Sequence, residues 1–197
     1  PNWEKEMRAL NERASTVLRT NTLKTSTKEL IADLAEENIP AHTVRNYPDA
    51  VELEEKKNVF LTSAFKDGLF EVQDASSQKI AYFLDVKEGQ RVVDACAGAG
   101  GKTLHIAALM GNKGQIIALD LYEWKLAELK RRAKRAGAHN IETRVISDNK
   151  VIKRLHDKAD RLLIDAPCSG LGVLKRNPDS KWKIDQEFID RIKKEQQ

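Results

Sequence analysis

The sequence predicts an α/β protein in which a doubly wound parallel sheet follows a smaller α+β module. Short apolar segments alternate with helix-forming segments from residue 91 onward, and a glycine-rich turn joins the first strand to the first helix. Four successive strands each end at or near an aspartate, namely Asp94, Asp120, Asp148 and Asp165. Strands that alternate with helices pair in parallel through right-handed crossovers. The four carboxylates are therefore expected at one edge of the sheet, where ligands of such folds bind.

The leading module is predicted from shorter segments. Residues 2–11 have helical spacing, 16–21 alternate as a strand does, and a polar cap at 25–27 opens a helix over 28–37. We expect further strands at 42–44, 50–53 and 59–61, separated by prolines and a glycine. A helix over 79–84 bridges to the second module. The predicted domains are residues 1–85 and 86–197.

The second module is predicted to contain strands at 91–94, 115–119, 141–146 and 162–165. A helix over 101–110 buries the apolar side chains Leu104, Ile106, Ala107, Ala108 and Leu109. A longer helix over 122–136 carries basic residues that we place on its outer surface: Lys125, Lys130, Arg131, Arg132, Lys134 and Arg135. That surface is either a solvated face or a patch that faces RNA.

The glycine-rich turn at residues 94–103 indicates a small-molecule site, because glycine lets the backbone approach a ligand and the next helix begins with unpaired N–H groups. A phosphate-binding P-loop requires a glycine where Cys96 stands. A dinucleotide loop requires one where Thr103 stands, which leaves NAD a weak second choice. Asp94 suits a cofactor with a cationic amino-acid moiety and no phosphate. The leading interpretation is that the turn binds S-adenosylmethionine. The alternative is a glycine-rich turn that binds no ligand.

Composition restricts the function classes. The net charge of +4 and the pI of about 9.0 permit nucleic acid as a partner without showing it. Two cysteines, no long apolar run and no signal-peptide pattern predict a cytoplasmic protein with reduced thiols. The four histidines have no metal-ligand spacing with the cysteines, so no metal is expected.

Individual residues can be given roles at this edge. Asp120 ends the second strand and can accept hydrogen bonds from ribose hydroxyls, and Asp148 can meet the adenine amino group. Lys102 pairs either with the cofactor carboxylate or, as a structural ion pair, with Asp94 or Asp165. Cys168 follows Asp165 by three residues. A thiol beside a methyl donor favours thiolate addition to C6 of a pyrimidine, which activates C5 for methylation.

Four motifs together resemble the Sun (Fmu) family of RNA cytosine-C5 methyltransferases: the run 94–103, the Asp-Ala-Pro-Cys-Ser-Gly sequence at 165–170, the stretch 176–182, and 65–68 with 73–78. The resemblance covers about residue 14 to the end. It implies an RRM-like module before a Rossmann-like methyltransferase domain that is incomplete at its C-terminus, with ribosomal or transfer RNA as substrate. Gly98-Ala99 stands where the family usually has Ala-Pro.

The resemblance also implies site residues. The cofactor set is Asp94, Cys96, Ala97, Gly98, Gly100, Gly101, Lys102, Asp120, Lys125, Asp148 and Asp165, with Cys96 a structural thiol of the loop. Cys168 and Asp165 are the catalytic candidates, and Arg19, Lys130 and Arg176 are the candidate RNA contacts. The attacking cysteine of the family lies in a Thr-Cys motif later than Gln197, so Cys168 is the second cysteine and the chain is expected to be a fragment.

Two other functions stay open at this point. One is a catalytically incomplete module that binds cofactor and RNA. The other is a DNA cytosine-C5 methyltransferase, in which the Pro-Cys after the fourth strand is itself the nucleophile; the RRM-like module and the stretch 176–182 argue against it.

Overall fold

The computed structural model describes residues 2–12 and 14–196, without the side chain of Lys181. Its helices and strands are, in chain order, α1 (Trp3–Asn11), β1 (Val17–Thr20), α2 (Thr27–Glu36), β2 (Ala41–Val44), β3 (Tyr47–Leu53), α3 (Ser63–Lys66), β4 (Phe70–Val72), α4 (Ala75–Phe83), β5 (Arg91–Asp94), α5 (Gly101–Leu109), β6 (Gln115–Asp120), α6 (Glu123–Ala136), β7 (Ile141–Val145), α7 (Asn149–Lys153), β8 (Arg161–Leu163), α8 (Ser180–Lys183) and α9 (Gln186–Gln196). Two compact units result. Thr16–Asp165 forms one, and the described residues of 1–15 and 166–197 form the other.

The first sheet of the larger unit has the order β2-β3-β1-β4, and its paired strands are antiparallel. Helix α2 begins at a capping box, in which the Ser26 side chain and the Glu29 side chain each satisfy the other residue's backbone N–H. Its apolar face, including Leu30 and Leu34, packs with Leu18 and Phe70 of the sheet in one buried cluster. The predicted small α+β module is therefore present.

The second sheet is parallel, in the order β7-β6-β5-β8. One cluster of apolar residues joins it to α4, α5 and α6, and a second, around Val93, Ile117 and Leu119, joins it to Val151 and Leu155. Helices thus cover both faces of the sheet, which explains why β6 is a continuous apolar run. This arrangement confirms the predicted doubly wound sheet. The predicted boundary at residue 85 stays a prediction.

The first module lies close to helix α6 within the larger unit. Asn21 donates from its side-chain amide to the carbonyls of Gly68 and Ala136, at 2.7 and 2.8 Å. Gly68 has a φ of +73°, and an added Cβ would lie 2.1 Å from the Arg135 carbonyl oxygen. Only glycine permits this approach of the backbone to α6.

A buried polar cluster lies between the modules. The Asp49 carboxylate accepts hydrogen bonds from the Tyr82 hydroxyl at 2.6 Å and from His105 Nε2 at 2.9 Å. Burial alone would raise the pKa of Asp49, but the bonds from His105 and Tyr82 hold it below its ordinary value. Burial lowers the pKa of His105, so the ring is neutral at pH 7 and donates one N–H to the carboxylate.

Three local predictions were wrong. Val59–Leu61 is a 3-10 helix and not a strand, because the Asn58 side chain caps the turn by accepting the Phe60 N–H at 3.1 Å. The strand that completes the first sheet is β4, which we did not predict, and it pairs with β1. Leu109 is half-buried, whereas the other apolar residues assigned to the interior of α5 are buried.

Candidate functional site

The turn between β5 and α5 is shaped by glycines. Gly98 and Gly100 have φ values of +54° and +88°. A Cβ on Gly100 would come within 2.6 Å of the Leu129 side chain, so the loop lies directly on α6. Gly100 also precedes α5 without a side-chain cap. The first N–H groups of the helix are therefore available to a ligand.

Asp94 ends β5 with its side chain buried, at 1% relative exposure. Its Oδ2 accepts a hydrogen bond from the Thr103 hydroxyl at 2.7 Å, while Oδ1 has no hydrogen-bond partner among the described residues. Burial raises the pKa of Asp94 from 3.8 to about 6, against the opposing effects of the Thr103 hydroxyl and the Cys96 backbone. A buried acceptor without a partner fits the ammonium group of a ligand.

A cavity of about 280 Å³ opens beside Asp94. Its walls bring together nine residues: Gln73, Ser77, Asp94, Cys96, Ala97, Gly98, Gly101, Lys102 and Asp165. Seven of these belong to the cofactor set predicted from the sequence. Gln73 and Ser77, at the start of α4, were not assigned a role. They belong to the 73–78 motif that contributed to the family resemblance, and this was the available signal.

Lys102 lies at the edge of the cavity and pairs with Asp165, with 2.5 Å between Nζ and Oδ2. The sequence offered Asp94 and Asp165 as partners for a structural ion pair with Lys102, and the structure shows the pair with Asp165. Cys96 is half-buried, and burial together with the carboxylates of Asp94, Asp120 and Asp165 raises the pKa of its thiol. Cys96 is therefore a neutral thiol at pH 7 and is poorly suited to nucleophilic attack.

Asp120 supports the loop from the neighbouring strand. One carboxylate oxygen accepts the Gly98 N–H and the other accepts the Tyr122 N–H, both at 2.9 Å. Lys125 Nζ lies 3.9 Å from the same carboxylate and 4.5 Å from the Tyr122 ring centroid. Neither Asp120 nor Lys125 is among the residues that line the cavity. Their contacts with a cofactor remain predictions.

Asp148 is at the carboxyl edge of the sheet, as expected, but it serves as the cap of α7. Its side chain accepts the Lys150 N–H at 2.7 Å. It is exposed, and it does not line the cavity. For this aspartate, helix capping explains the observed contact.

The residues predicted to contact RNA, Arg19, Lys130 and Arg176, lie in different surroundings. Arg19 is 2% exposed and donates to Gln73 Oε1 at 2.6 Å and to the Gly101 carbonyl. Its assignment as an RNA contact is wrong, because the guanidinium is inside the larger unit. Lys130 is exposed and lines a second cavity of about 270 Å³ beside β7. Cys168 and Arg176 belong to the smaller unit, where both are exposed.

The basic residues of α6 do not share one outer surface. Lys130, Arg131 and Lys134 are exposed. Arg132 and Arg135 instead form ion pairs with Glu71 of β4, at 2.8 and 2.5 Å, and their side chains are 18% and 21% exposed. Both earlier interpretations of the cluster, a solvated face and an RNA patch, fail for these two arginines.

No group of three or more His, Cys, Asp or Glu residues suited to a metal ion occurs in the part of the chain that the structure describes. Within residues 2–12 and 14–196, no helix combines the length and the apolar character needed to cross a membrane.

Comparison with protein families gave two matches. A family described as 16S rRNA methyltransferase RsmB/F matches residues 81–197. The ferredoxin-like domain of RsmF/B-like methyltransferases matches residues 1–60, in agreement with the strand order of the first sheet.

Similar proteins carry related descriptions. A probable ribosomal RNA small subunit methyltransferase B from Synechocystis is 39% identical over 88% of this chain and 39% of its own length. Another with the same description, from Bacillus subtilis, is 40% identical over 84% of this chain and 37% of its own length. A solved methyltransferase homolog from Pyrococcus horikoshii superposes with a TM-score of 0.76 at 34% identity, covering 86% of this chain and 55% of that one. The chain thus spans about two fifths of the length of these curated relatives.

Proposed function

Because the chain belongs to the RsmB/F family of 16S rRNA methyltransferases, we propose that the full-length protein methylates C5 of a cytosine in small-subunit ribosomal RNA. The family match confirms the resemblance stated from the sequence motifs, and the parallel sheet is that of an S-adenosylmethionine-dependent methyltransferase. The cofactor supplies the methyl group when it is bound. Transfer RNA, which we also considered, has no support among the similar proteins described here.

One observation carries the cofactor assignment: the buried Asp94 Oδ1, which lacks a partner among the described residues and borders the cavity below the glycine turn. This atom would accept a hydrogen bond from the cationic amino group of S-adenosylmethionine. Lys102 would bind the carboxylate that shares the α-carbon with this amino group. We assign the ribose contact to Asp120, with Lys125 beside it, and the adenine contact to Asp148, whose bond to the Lys150 N–H uses one carboxylate oxygen.

The proposed reaction has two stages, and the residues of this chain serve the second. A cysteine thiolate of the enzyme forms a bond to C6 of cytosine, and the electron pair of the C5–C6 double bond moves to C5, where the methyl group is accepted. A base must then remove the C5 proton. The electron pair of the C5–H bond restores the C5–C6 double bond and expels the thiolate from C6. We assign proton removal and enzyme release to Cys168 and Asp165, because the attacking thiolate cannot also be the base that eliminates it.

Calorimetry of the chain with S-adenosylmethionine, NAD and ATP tests the cofactor assignment. We expect binding of the first in preference to the others, because Cys96 and Thr103 occupy the glycine positions that a P-loop and a dinucleotide loop require. Asp120→Ala should weaken that binding by the loss of a charged hydrogen bond, about 1.5–3 kcal/mol. Preferential binding of NAD or ATP, or an unchanged affinity in Asp120→Ala, would contradict the assignment.

The full-length Cys168→Ala enzyme tests the catalytic assignment. If Cys168 assists proton loss and release, addition to C6 still occurs in the variant, and a covalent protein–RNA adduct accumulates on denaturing gels. An absence of both adduct and methylation would make Cys168 the nucleophile. Methyl incorporation into DNA by the full-length enzyme would favour the DNA alternative, and binding of cofactor and RNA with no incorporation would favour an inactive binding module. Cytoplasmic location, where rRNA is modified, is part of this proposal.

A further inference from the structure

Two backbone carbonyls of the glycine turn accept hydrogen bonds from the buried Arg19 and the half-buried Arg132. Ala99 O accepts a hydrogen bond from Arg132 Nη1 at 2.7 Å. Gly101 O accepts one from Arg19 Nη1, which also donates to Gln73. These two carbonyls flank Gly100, the residue at which the turn becomes α5. Charge-assisted bonds of this kind are stronger than those between neutral groups.

The two arginines come from different modules and are linked through Glu71. Arg19 is on β1 and pairs in register with Glu71 of β4, so their side chains share one face of the first sheet. Glu71 is 4% exposed, and its carboxylate accepts hydrogen bonds from Arg132 Nε at 3.2 Å and from Arg132 Nη2 at 2.8 Å. The first sheet thus contributes one arginine directly and holds the other through its carboxylate.

Stability alone is a poor explanation for this arrangement. Arg19, Arg132 and Arg135 surround the single carboxylate of Glu71. Burial lowers the pKa of Arg19 to about 10, and its Nε has no hydrogen-bond partner among the described residues. Buried charge clusters often stabilise a fold less than apolar residues of the same volume would. What the arginines do provide is a fixed conformation for a turn whose glycines, unsupported, would be mobile.

We infer that Arg19 and Arg132 are positioning residues for the methyl donor, and that the ferredoxin-like module thereby completes the cofactor site from behind. The inference rests on the proposed function, because it assumes that the glycine turn binds S-adenosylmethionine. Arg19 and Arg132 donate to the backbone of the turn and act through it: they hold the carbonyls of Gly101 and Ala99, and Gly101 lines the cavity.

Arg135 provides a matched control for Arg132. Both are on α6, both pair with Glu71, and their side chains are 18% and 21% exposed. Arg135 stacks on the Phe65 ring, 3.8 Å from its centroid, and among the described residues it forms no hydrogen bond to the glycine turn. Arg132→Met and Arg135→Met should therefore both lower thermal stability, whereas only Arg132→Met removes a bond to the turn.

The first readout is the dissociation constant for S-adenosylmethionine, measured by calorimetry on the chain at a temperature where all variants are folded. We expect Arg132→Met and Arg19→Met to weaken binding by about tenfold or more, the scale of one lost charge-assisted hydrogen bond. Arg135→Met should stay within about twofold of the wild type. Equal losses in Arg132→Met and Arg135→Met would overturn the inference while leaving the proposed function intact.

The second readout needs no ligand. Hydrogen exchange at the amides of the turn, with β6 amides as a reference for global opening, should be faster in Arg132→Met and unchanged relative to that reference in Arg135→Met. Unchanged exchange at the turn in Arg132→Met would overturn the inference even if binding were weakened. If the wild-type chain binds no S-adenosylmethionine, the proposed function fails, the donor-positioning role fails with it, and exchange alone decides whether the arginines hold the turn.

Discussion

Replacing Asp94 with asparagine is expected to stabilise the protein without ligand and, at the same time, to weaken its affinity for the methyl donor. The side chain is 1% exposed, and burial raises its pKa from 3.8 to about 6. Asparagine keeps the shape and an oxygen that can accept the bond from Thr103. It removes the charge that burial penalises and that the cofactor ammonium needs.

The sign and the size of the effect follow from proton linkage. Above pH 6 the carboxyl is ionised in both the folded and the unfolded protein, so the folded state bears the full penalty, about 3 kcal/mol for this shift. As the pH falls, the folded state takes up its proton first, and the penalty is lost by the time the pH is below 3.8. The stability gain of Asp94→Asn should therefore be about 2 kcal/mol larger near pH 8 than near pH 4.5.

Urea unfolding of both proteins at the two pH values measures this difference. The comparison cancels every other titrating group, because only residue 94 changes. If the free energies of unfolding differ by the same amount at both pH values, Asp94 does not titrate with a raised pKa and the electrostatic argument is refuted. If Asp94→Asn binds S-adenosylmethionine as tightly as the wild type does, the ammonium contact is refuted instead.

Three further predictions can be tested with single substitutions. Gly68→Ala should lower the free energy of unfolding by more than about 3 kcal/mol, because the added Cβ meets the backbone of α6. Gly89→Ala is the control: this glycine also has a positive φ, +84°, but no described atom lies within 4 Å of the added Cβ, so the substitution should cost only about 1 kcal/mol. Equal costs would show that the contact of Gly68 with α6 is not rigid. Asp49→Ala should cost about 2–4 kcal/mol in urea unfolding, because the buried His105 ring and the Tyr82 hydroxyl lose their shared acceptor, and a change below about 0.5 kcal/mol would be the contrary result. Arg176→Ala in the full-length protein should reduce the dependence of RNA affinity on log salt concentration by about one unit, measured by filter binding; an unchanged slope would remove Arg176 from the RNA contacts.

The sequence was sufficient to predict the parallel sheet and a group of residues that line one cavity at its edge, and the reason is local. An apolar strand buried on both faces, a glycine turn and a following helix leave signals within about twenty residues of one another, so Asp94, Gly98 and Lys102 could be assigned without any knowledge of the rest of the fold. Asp148 had the same kind of signal. A short helix begins at the next residue and uses Asp148 as its cap. A position at the end of a strand does not by itself distinguish a helix cap from a ligand contact.

The arginines were misassigned for a different physical reason. On α6 the buried stripe consists of Leu126, Leu129, Ala133 and Ala136, and periodicity places Arg132 and Arg135 at its border, where a basic side chain normally reaches solvent. Whether such a position is exposed depends on what packs beside the stripe, which here is Glu71, a residue about sixty positions earlier in a strand that was itself not predicted. Arg19 was misassigned in the same way, because β1 is buried on both faces within an antiparallel sheet, where one face is commonly open. The covered face of the first sheet is therefore the reason that Arg19 and Arg132 donate to the glycine turn, and the RNA contacts that we propose are confined to Lys130 and Arg176.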